Sequence, residues 1–150
     1  MATVISVTNQ KGGVGKTTTA VNLAYYLAKA GKKTLLIDFD PQGNATSGLG
    51  FDKQMLTATM AEVVMGDIPL SQVIIPTKHK NLSIAPSTPI LANTEVQLAQ
   101  AERRFSRLKA AIEVVDADYD VVIIDSPPSL SLLTVNGPNR SQIRVIAGSG

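Results

Sequence analysis

The chain has 150 residues, of which 44% are hydrophobic, and this is enough for one domain with a buried core. It contains no cysteine, which excludes disulfides, thiolate-bound zinc and iron–sulfur clusters carried by this chain. The formal net charge of +2 is too small to argue for nucleic-acid binding by itself, and the apolar runs are far too short to span a bilayer.

The N-terminal segment predicts a strand followed by a helix. Residues 3–8 form an apolar, β-branched run that stops at a glycine-rich loop, which is typical of a buried strand. From Lys16 apolar residues recur at helical spacing until Gly31, a natural helix C-cap. The start lacks the basic region, long apolar stretch and cleavage site of a secretory signal, so we expect a cytoplasmic protein.

The rest of the chain alternates predicted strands and helices. "KTLLIDFD" is a second buried strand, and "PQGNATSGLG" is a loop by composition. Short helical pieces follow from residue 57, broken at Gly66 and Pro69, then a brief strand "NLSIAP", one or two helices over residues 91–115, and a third buried strand "YDVVIID". This alternation predicts one α/β domain with a mainly parallel sheet and right-handed crossovers.

The segment "GGVGKTT" has the features of a phosphate-binding loop. It joins a predicted strand to a helix, where backbone N–H groups and the helix dipole favour an anion. Glycines let the backbone approach phosphate oxygens, a lysine reaches the terminal phosphates, and a threonine hydroxyl binds Mg²⁺. The residues concerned are Gly12, Gly13, Val14, Gly15, Lys16, Thr17 and Thr18. The alternative, a glycine turn that only caps a helix, is disfavoured because the GK[ST] triplet lies at the strand-to-helix junction.

Three acidic residues follow predicted strands, at the carboxyl ends where a parallel sheet places its ligands, so we expect them at the same edge as the glycine-rich loop. Asp125 ends the third strand, where a carboxylate can hold Mg²⁺ through water. Asp38 and Asp40 end the second strand, and strand alternation predicts that both face the same way. One could orient an attacking water while the other supports the loop or the metal. The alternative is that both are solvated strand-end residues.

These motifs resemble a known family. "KGGVGKTT" resembles the deviant Walker-A motif of ParA/MinD-type ATPases. "DFDPQGNATSGLG" and "VVIIDSPPSLSLLTVN" are similar to the matching segments of the ParA/Soj branch, which partitions chromosomes and plasmids. The resemblance extends over residues 3–136, with the motifs in the right order. It implies a P-loop NTPase-like, three-layer fold that binds ATP and Mg²⁺.

The resemblance also implies roles for individual residues. Lys11 would reach across an ATP-sandwich homodimer to phosphate in the partner's site; the alternative is a solvent-exposed loop lysine. Asp40 would position the attacking water, and Asp125 would be linked to Mg²⁺. Pro127 and Pro128 fall in the segment that senses the nucleotide state. The implied activity is slow ATP hydrolysis, stimulated by a ParB-type partner and coupled to non-specific DNA binding on the nucleoid.

The chain departs from this family towards its C-terminus. Family members are longer, so we expect one domain over residues 1–150 that is incomplete at its C-terminus and lacks the base pocket and the usual DNA-contacting region. Residues 137–150 form an atypical tail, because Gly137 and Pro138 would break the expected helix. A shifted coding frame that is restored before "RVIA", which resembles the expected strand, is one hypothesis for this tail.

Several alternatives remain open at this stage. The chain could be a non-catalytic nucleotide-binding module, an inactive fragment, or a MinD-like positioning ATPase, although the amphipathic membrane helix of MinD is not apparent and no membrane partner is expected. His79 is expected to be a loop residue. The basic residues at 29, 32 and 33 and at 103, 104, 107 and 109 fit solvated helix faces, with a minor DNA or partner surface as the alternative.

Overall fold

The computed structural model describes residues 2–8, 14–40, 42–56, 58–87, 101–125 and 143–147. Residues 8, 14–18, 53, 101–105 and 143–147 are described by their backbone alone. Some predictions lie outside the described residues, because they fall on residues 9–13, 88–100 and 126–142. They include the predictions for Lys11, Gly12, Gly13, Pro127 and Pro128.

A six-stranded sheet forms the centre of the described part of the chain, in the order β3-β4-β2-β5-β1-β6. Its strands are β1 (Thr3–Thr8), β2 (Thr34–Asp38), β3 (Ile75–Pro76), β4 (Leu82–Ala85), β5 (Val121–Asp125) and β6 (Ile143–Ala147). All neighbours pair in parallel except β3, a two-residue edge strand that runs antiparallel to β4. The predicted mainly parallel α/β architecture is therefore confirmed, and the "RVIA" segment lies in a strand beside β1.

Four α-helices connect these strands in the described residues: α1 (Val14–Lys29), α2 (Asn44–Gly48), α3 (Met60–Met65) and α4 (Ala101–Val115). Short 3₁₀ turns cover Lys53–Met55, Leu70–Gln72 and Asp116–Asp118. The predicted breaks at glycine are confirmed, because Gly31 follows α1 and Gly66 caps α3, each at a positive φ that glycine adopts without strain.

One segment differs from its prediction. Composition predicted a loop for "PQGNATSGLG", but residues 44–48 form the short helix α2. The helix follows Gly43, which adopts a left-handed conformation, and its Thr46 is held by hydrogen bonds to Asp38. A tertiary contact therefore stabilises a turn of helix that local composition does not favour.

Both faces of the sheet are buried, which explains why its strands are almost continuously apolar. Alternate residues of β2 and β5 enter two separate core clusters. Leu35, Ile37, Val122 and Ile124 pack with α3 and α4, whereas Leu36, Val121 and Ile123 pack with α1. The domain is therefore a three-layer sandwich of helix, sheet and helix.

Helix α1 packs on the sheet through alanines at intervals of four residues. Ala20, Ala24 and Ala28 are all buried in the second cluster. This spacing places them on one side of the helix, and their small side chains allow its axis to lie close to the strands. The helix that carries the predicted phosphate-binding residues in its first turn is thereby held against the sheet from Ala20 to Ala28.

We expect Ala24→Leu to destabilise the domain by about 1 to 3 kcal/mol, because three additional carbons cannot fit between α1 and the sheet without strain. Chemical unfolding in urea measures this change. Ala110→Leu is the matched control, since Ala110 is exposed on helix α4. Equal stability of the Ala24→Leu chain and the unmutated chain would contradict close packing at this position.

Candidate functional site

The acidic residues predicted to act together lie at the same edge of the sheet. Strand β5 lies between β1 and β2, and Asp38 of β2 is in register with Asp125 of β5. Val7, near the end of β1, is in register with Asp125 on the other side. The carboxyl ends of these strands therefore converge where β1 leads towards α1, as expected for a ligand site in a parallel sheet.

Asp38 is a fully buried carboxylate with a defined set of donors. Its Oδ2 accepts hydrogen bonds from the backbone N–H of Thr46 at 2.9 Å and from the Thr46 hydroxyl at 2.6 Å. Its Oδ1 accepts a longer hydrogen bond of 3.3 Å from the backbone N–H of Asp40. The carboxylate therefore fixes both the residue that follows β2 and the helix α2.

Burial raises the pKa of Asp38 to about 6, and the nearby charge of Asp125 adds to this effect. The hydrogen bonds from Thr46 and Asp40 act in the opposite direction, because they favour the charged carboxylate. The two acids thus form a buried pair whose negative charge is costly unless a cation or further donors are present.

Asp40 lies beyond the end of β2 and is only half-buried. Its Oδ1 accepts a hydrogen bond of 3.0 Å from the backbone N–H of Gln42, and its backbone oxygen accepts bonds from Gly43 N–H at 2.9 Å and from the Ser87 hydroxyl at 2.9 Å. The predicted strand alternation does not extend to Asp40, since the strand ends at Asp38 and the chain turns. Asp40 is held at the same edge by a turn instead.

Thr46 and Ser87 are site residues that the sequence analysis missed. The Thr46 hydroxyl donates to Asp38 and accepts a hydrogen bond of 3.0 Å from the backbone N–H of Ser87. Ser87 follows β4, the strand next to β2. Thr46 and Ser87 are both fully buried. The available signal was a small hydroxyl residue just past the end of "NLSIAP", at the edge where the acids were expected.

The first turn of α1 contains the other predicted binding residues that the structure describes. Val14, Gly15, Lys16, Thr17 and Thr18 all belong to this helix, and its first turn holds no acidic residue. The first N–H groups of a helix have no partner within the helix, so this end is suited to an anion. The contacts of the Lys16, Thr17 and Thr18 side chains with phosphate and Mg²⁺ stay predictions, because the structure describes only the backbone of these residues.

None of the helices in the described part of the chain is long and apolar enough to cross a membrane. Among the same residues, no group of three or more histidine, aspartate or glutamate side chains is placed to hold a metal ion.

Comparison with known proteins identifies the family. A family model for an AAA domain (AAA_31) matches residues 2–148. The chain belongs to this AAA domain family. Its resemblance to ParA/Soj-type proteins, first seen in its motifs, is also confirmed by relatives that carry those names.

Two curated relatives of this AAA domain illustrate the similarity. The chromosome partitioning protein ParA of Myxococcus xanthus is 50% identical over 89% of this chain and 47% of its own length. The sporulation initiation inhibitor protein Soj of Bacillus subtilis is 48% identical over 97% of this chain and 58% of its own length. The chain thus spans about half the length of the curated relatives that it matches.

Solved structures support the same fold. A cobyrinic acid a,c-diamide synthase from Mycobacterium smegmatis, with bound ATP analogue and magnesium, is 39% identical with a TM-score of 0.85 over 99% of this chain and 60% of its own. The septum site-determining protein MinD of Pyrococcus horikoshii, complexed with Mg-ADP, is 29% identical with a TM-score of 0.77 over 99% of this chain and 58% of its own.

We expect Thr46→Val to destabilise the domain by about 2 to 3 kcal/mol, because it removes the hydroxyl donor to a buried carboxylate without changing the side-chain volume much. Thr46→Ser keeps the hydroxyl and loses one methyl group, so it should cost only about 1 kcal/mol. Urea unfolding compares the two variants. A larger loss for Thr46→Ser than for Thr46→Val would show that packing, not the hydrogen bond, holds this residue.

The raised pKa of Asp38 also predicts a pH-dependent contribution to stability. The folded state holds this proton more tightly than the unfolded chain, whose ordinary pKa is 3.8. The contribution is therefore fully present below about pH 4 and is lost as pH rises to about 6, with a total of about 3 kcal/mol. The measurement is the difference in unfolding free energy between the unmutated chain and Asp38→Asn, in EDTA, from pH 4 to 7. That difference should become less favourable to the unmutated chain as pH rises; the opposite trend would contradict the assignment.

Proposed function

We propose that this chain is the N-terminal part of a ParA/Soj-type partition ATPase, which binds ATP and Mg²⁺ and hydrolyses ATP slowly. The observation that carries the proposal is the convergence of Asp38, Asp40 and Asp125 at the sheet edge that leads into α1, in a chain related to named partitioning proteins. The nucleotides and magnesium in similar structures support ATP and Mg²⁺ as the ligands.

The donor set at this edge fits a magnesium ion that is bound together with a nucleotide. Mg²⁺ commonly uses one or two protein ligands and completes its shell with phosphate oxygens and water. We propose that Thr17 and Asp125 hold the ion, with Asp40 beside them, while the Asp38 carboxylate accepts hydrogen bonds from Thr46 and fixes helix α2 at this edge.

Electrostatics explains why a cation is required. The buried Asp38 and Asp125 carboxylates would repel the phosphates of ATP if nothing neutralised them. Bound Mg²⁺ would supply that neutralisation and polarise the terminal phosphate. Lys16 would add positive charge from the first turn of α1, and the backbone N–H groups of residues 12–16 would donate hydrogen bonds to the remaining phosphate oxygens.

The catalytic roles are proposed as follows. Asp40 would hold the attacking water, and the turn that fixes its backbone to Gly43 and Ser87 would keep its carboxylate at a constant position. Lys11 would enter the partner's site in an ATP-dependent homodimer and stabilise charge on the transferred phosphoryl group, as an arginine finger does. Dimer formation would then depend on ATP.

The whole protein would move DNA cargo. We propose that its ATP-bound dimer binds DNA non-specifically on the nucleoid. A ParB-type partner would stimulate ATP hydrolysis, which would release the dimer from the DNA. Cytoplasmic localisation belongs to the same proposal. A non-catalytic nucleotide-binding module is the alternative for these 150 residues, because Lys11 acts only if the dimer forms.

The proposal predicts that the chain binds ATP only with Mg²⁺ and that Lys16→Ala lowers the affinity at least about tenfold, because a charge-assisted contact to phosphate is lost. Asp40→Ala should bind ATP as the unmutated chain does but show no hydrolysis. Lys109→Ala, on helix α4, is the control. Calorimetry measures binding, and phosphate release measures turnover. Equal affinity of Lys16→Ala and the unmutated chain would overturn the phosphate-loop assignment.

The dimer is tested separately by light scattering. A doubling of mass with ATP and Mg²⁺, abolished in Lys11→Ala, supports the proposed role of Lys11. Binding of ATP with no change in mass and no turnover would favour the non-catalytic module for this part of the protein.

A further inference from the structure

A second concave site lies at the opposite end of the sheet from the carboxylates. Two cavities of about 450 and 270 Å³ flank the turn formed by residues 77–81, and both are lined by His79, Lys80 and Asn81. We call this pair of cavities the lysine groove. Thr34 and Leu82, the first residues of β2 and β4, mark this end of the sheet, and Asp38 lies four residues further along β2 than Thr34. At about 3.3 Å per residue, the groove is distinct from the proposed nucleotide site.

The lysine groove concentrates positive charge. Lys29, Lys78 and Lys80 line the larger cavity, and Lys33 and Lys80 line the smaller one. No aspartate or glutamate lines either cavity among the described residues. Asp120, whose Oδ2 accepts a hydrogen bond of 2.8 Å from the backbone N–H of Lys33, supplies a negative charge beside the smaller cavity, so the excess of positive charge is concentrated in the larger one. Clustered like charges of this kind attract a ligand of opposite sign.

The turn that carries these lysines is held in one conformation. The Thr77 hydroxyl donates to the backbone oxygen of Leu82 at 2.8 Å and accepts from the N–H of His79 at 3.1 Å. Asn81 adopts a φ of 68°, and its side-chain amide donates to the backbone oxygen of Ala28 at 3.3 Å. The turn is thereby fixed to the end of α1, so Lys78 and Lys80 emerge from a preorganised backbone.

Aromatic rings form part of the wall. Tyr25 and His79 meet edge to face with 4.8 Å between ring centroids, and the Lys29 ammonium lies 5.9 Å from the centroid of the Tyr25 ring. These rings give the larger cavity an aromatic wall next to the lysines, and the Tyr25 ring faces the Lys29 ammonium.

The C-terminal pole of α1 opposes anion binding at this end, but the lysines outweigh it. The pole carries about half a negative charge, whereas Lys29, Lys78 and Lys80 carry three positive charges in the larger cavity. The backbone oxygen of Ala28 also accepts bonds from the N–H of Gly31 and from Asn81, so it does not face the groove unpaired. Neutralising a helix end needs fewer cations than the groove contains.

We infer that the lysine groove is a binding site for phosphate groups, separate from the nucleotide site and independent of the proposed ATP binding. Its cations are all lysines, which bind phosphate as compact point charges, and several ammonium groups in one groove match the multiple negative charges of a phosphate group better than the single charge of a carboxylate. The phosphates could belong to a free polyphosphate compound or to the backbone of a nucleic acid, which share this chemistry.

The test measures binding of inorganic tripolyphosphate and of a duplex DNA of about 20 base pairs to the whole chain by calorimetry and fluorescence anisotropy. All measurements use a Lys16→Ala background, so that the proposed phosphate loop does not contribute. The groove variant carries Lys29→Gln, Lys78→Gln and Lys80→Gln. Its matched control carries Arg103→Gln, Arg104→Gln and Lys109→Gln on helix α4, which removes the same charge from the other side of the sheet.

The expected result is binding that weakens with salt, falls at least about tenfold in the groove variant, and changes by no more than about twofold in the control. Tighter binding of DNA than of tripolyphosphate assigns the site to a nucleic-acid backbone, and the reverse assigns it to a free compound. No binding of either probe, or equal losses in the two variants, overturns the inference.

Two further measurements separate a loss of phosphate binding from a loss of folding and from a failure of the proposed ATP binding. Melting temperatures show whether each variant is folded, and the single exchange Lys78→Glu, at an exposed position, should weaken binding in a fully folded chain. ATP binding by the groove variant with Lys16 restored should match that of the unmutated chain. If the groove variant loses both ATP binding and phosphate binding, the two ligands share one site and the inference is overturned. If neither the unmutated chain nor any variant binds ATP, that result counts only against the proposed function.

Discussion

The buried carboxylate of Asp38 is the constraint on which the rest of the site depends. Burying a carboxylate inside a domain costs several kcal/mol of folding free energy unless the group is hydrogen-bonded. This chain satisfies Asp38 with Thr46 and with the backbone of Asp40, and Thr46 in turn accepts a bond from Ser87. One buried group thereby joins the ends of β2 and β4 to the helix α2.

The network has a consequence for the acid that lies half-exposed beside it. Asp40 is not positioned by a strand, because β2 has already ended. Its backbone is held by Ser87 and Gly43 and its carboxylate by the N–H of Gln42. A residue proposed to handle water needs access to the site and a constant position, and a braced turn provides both where a buried strand would not.

The sheet separates two electrostatic environments. Carboxylates gather at the carboxyl ends of β2 and β5, and lysines gather at the amino ends of β2 and β4. The helix α1 connects the two ends, since its N-terminal turn lies towards the proposed phosphate loop and its C-terminal turn lies in the lysine groove. Its alanine face keeps this helix close to the strands, so both sites rest on one rigid element.

Much of this arrangement could be predicted from the sequence, because the signals were local. The apolar runs of β1, β2 and β5, the helical spacing after Lys16 and the glycines at 31 and 66 each depend on neighbouring residues. The parallel sheet follows from their alternation, and a parallel sheet brings strand ends together, so Asp38 and Asp125 were expected at one edge.

The remaining features depend on contacts between distant parts of the chain, and only the tertiary structure decided them. The helix α2 exists where composition favours a loop because Asp38 holds Thr46, eight residues away. Ser87 joins the same network across 41 residues, and Asn81 ties its turn to α1 across 53 residues, which brings lysines from three segments into one groove. Sequence periodicity reports which face of an element is buried. It does not report which polar group on another element will satisfy a buried carboxylate or gather a set of charges, because that is fixed by the packing of the whole sheet.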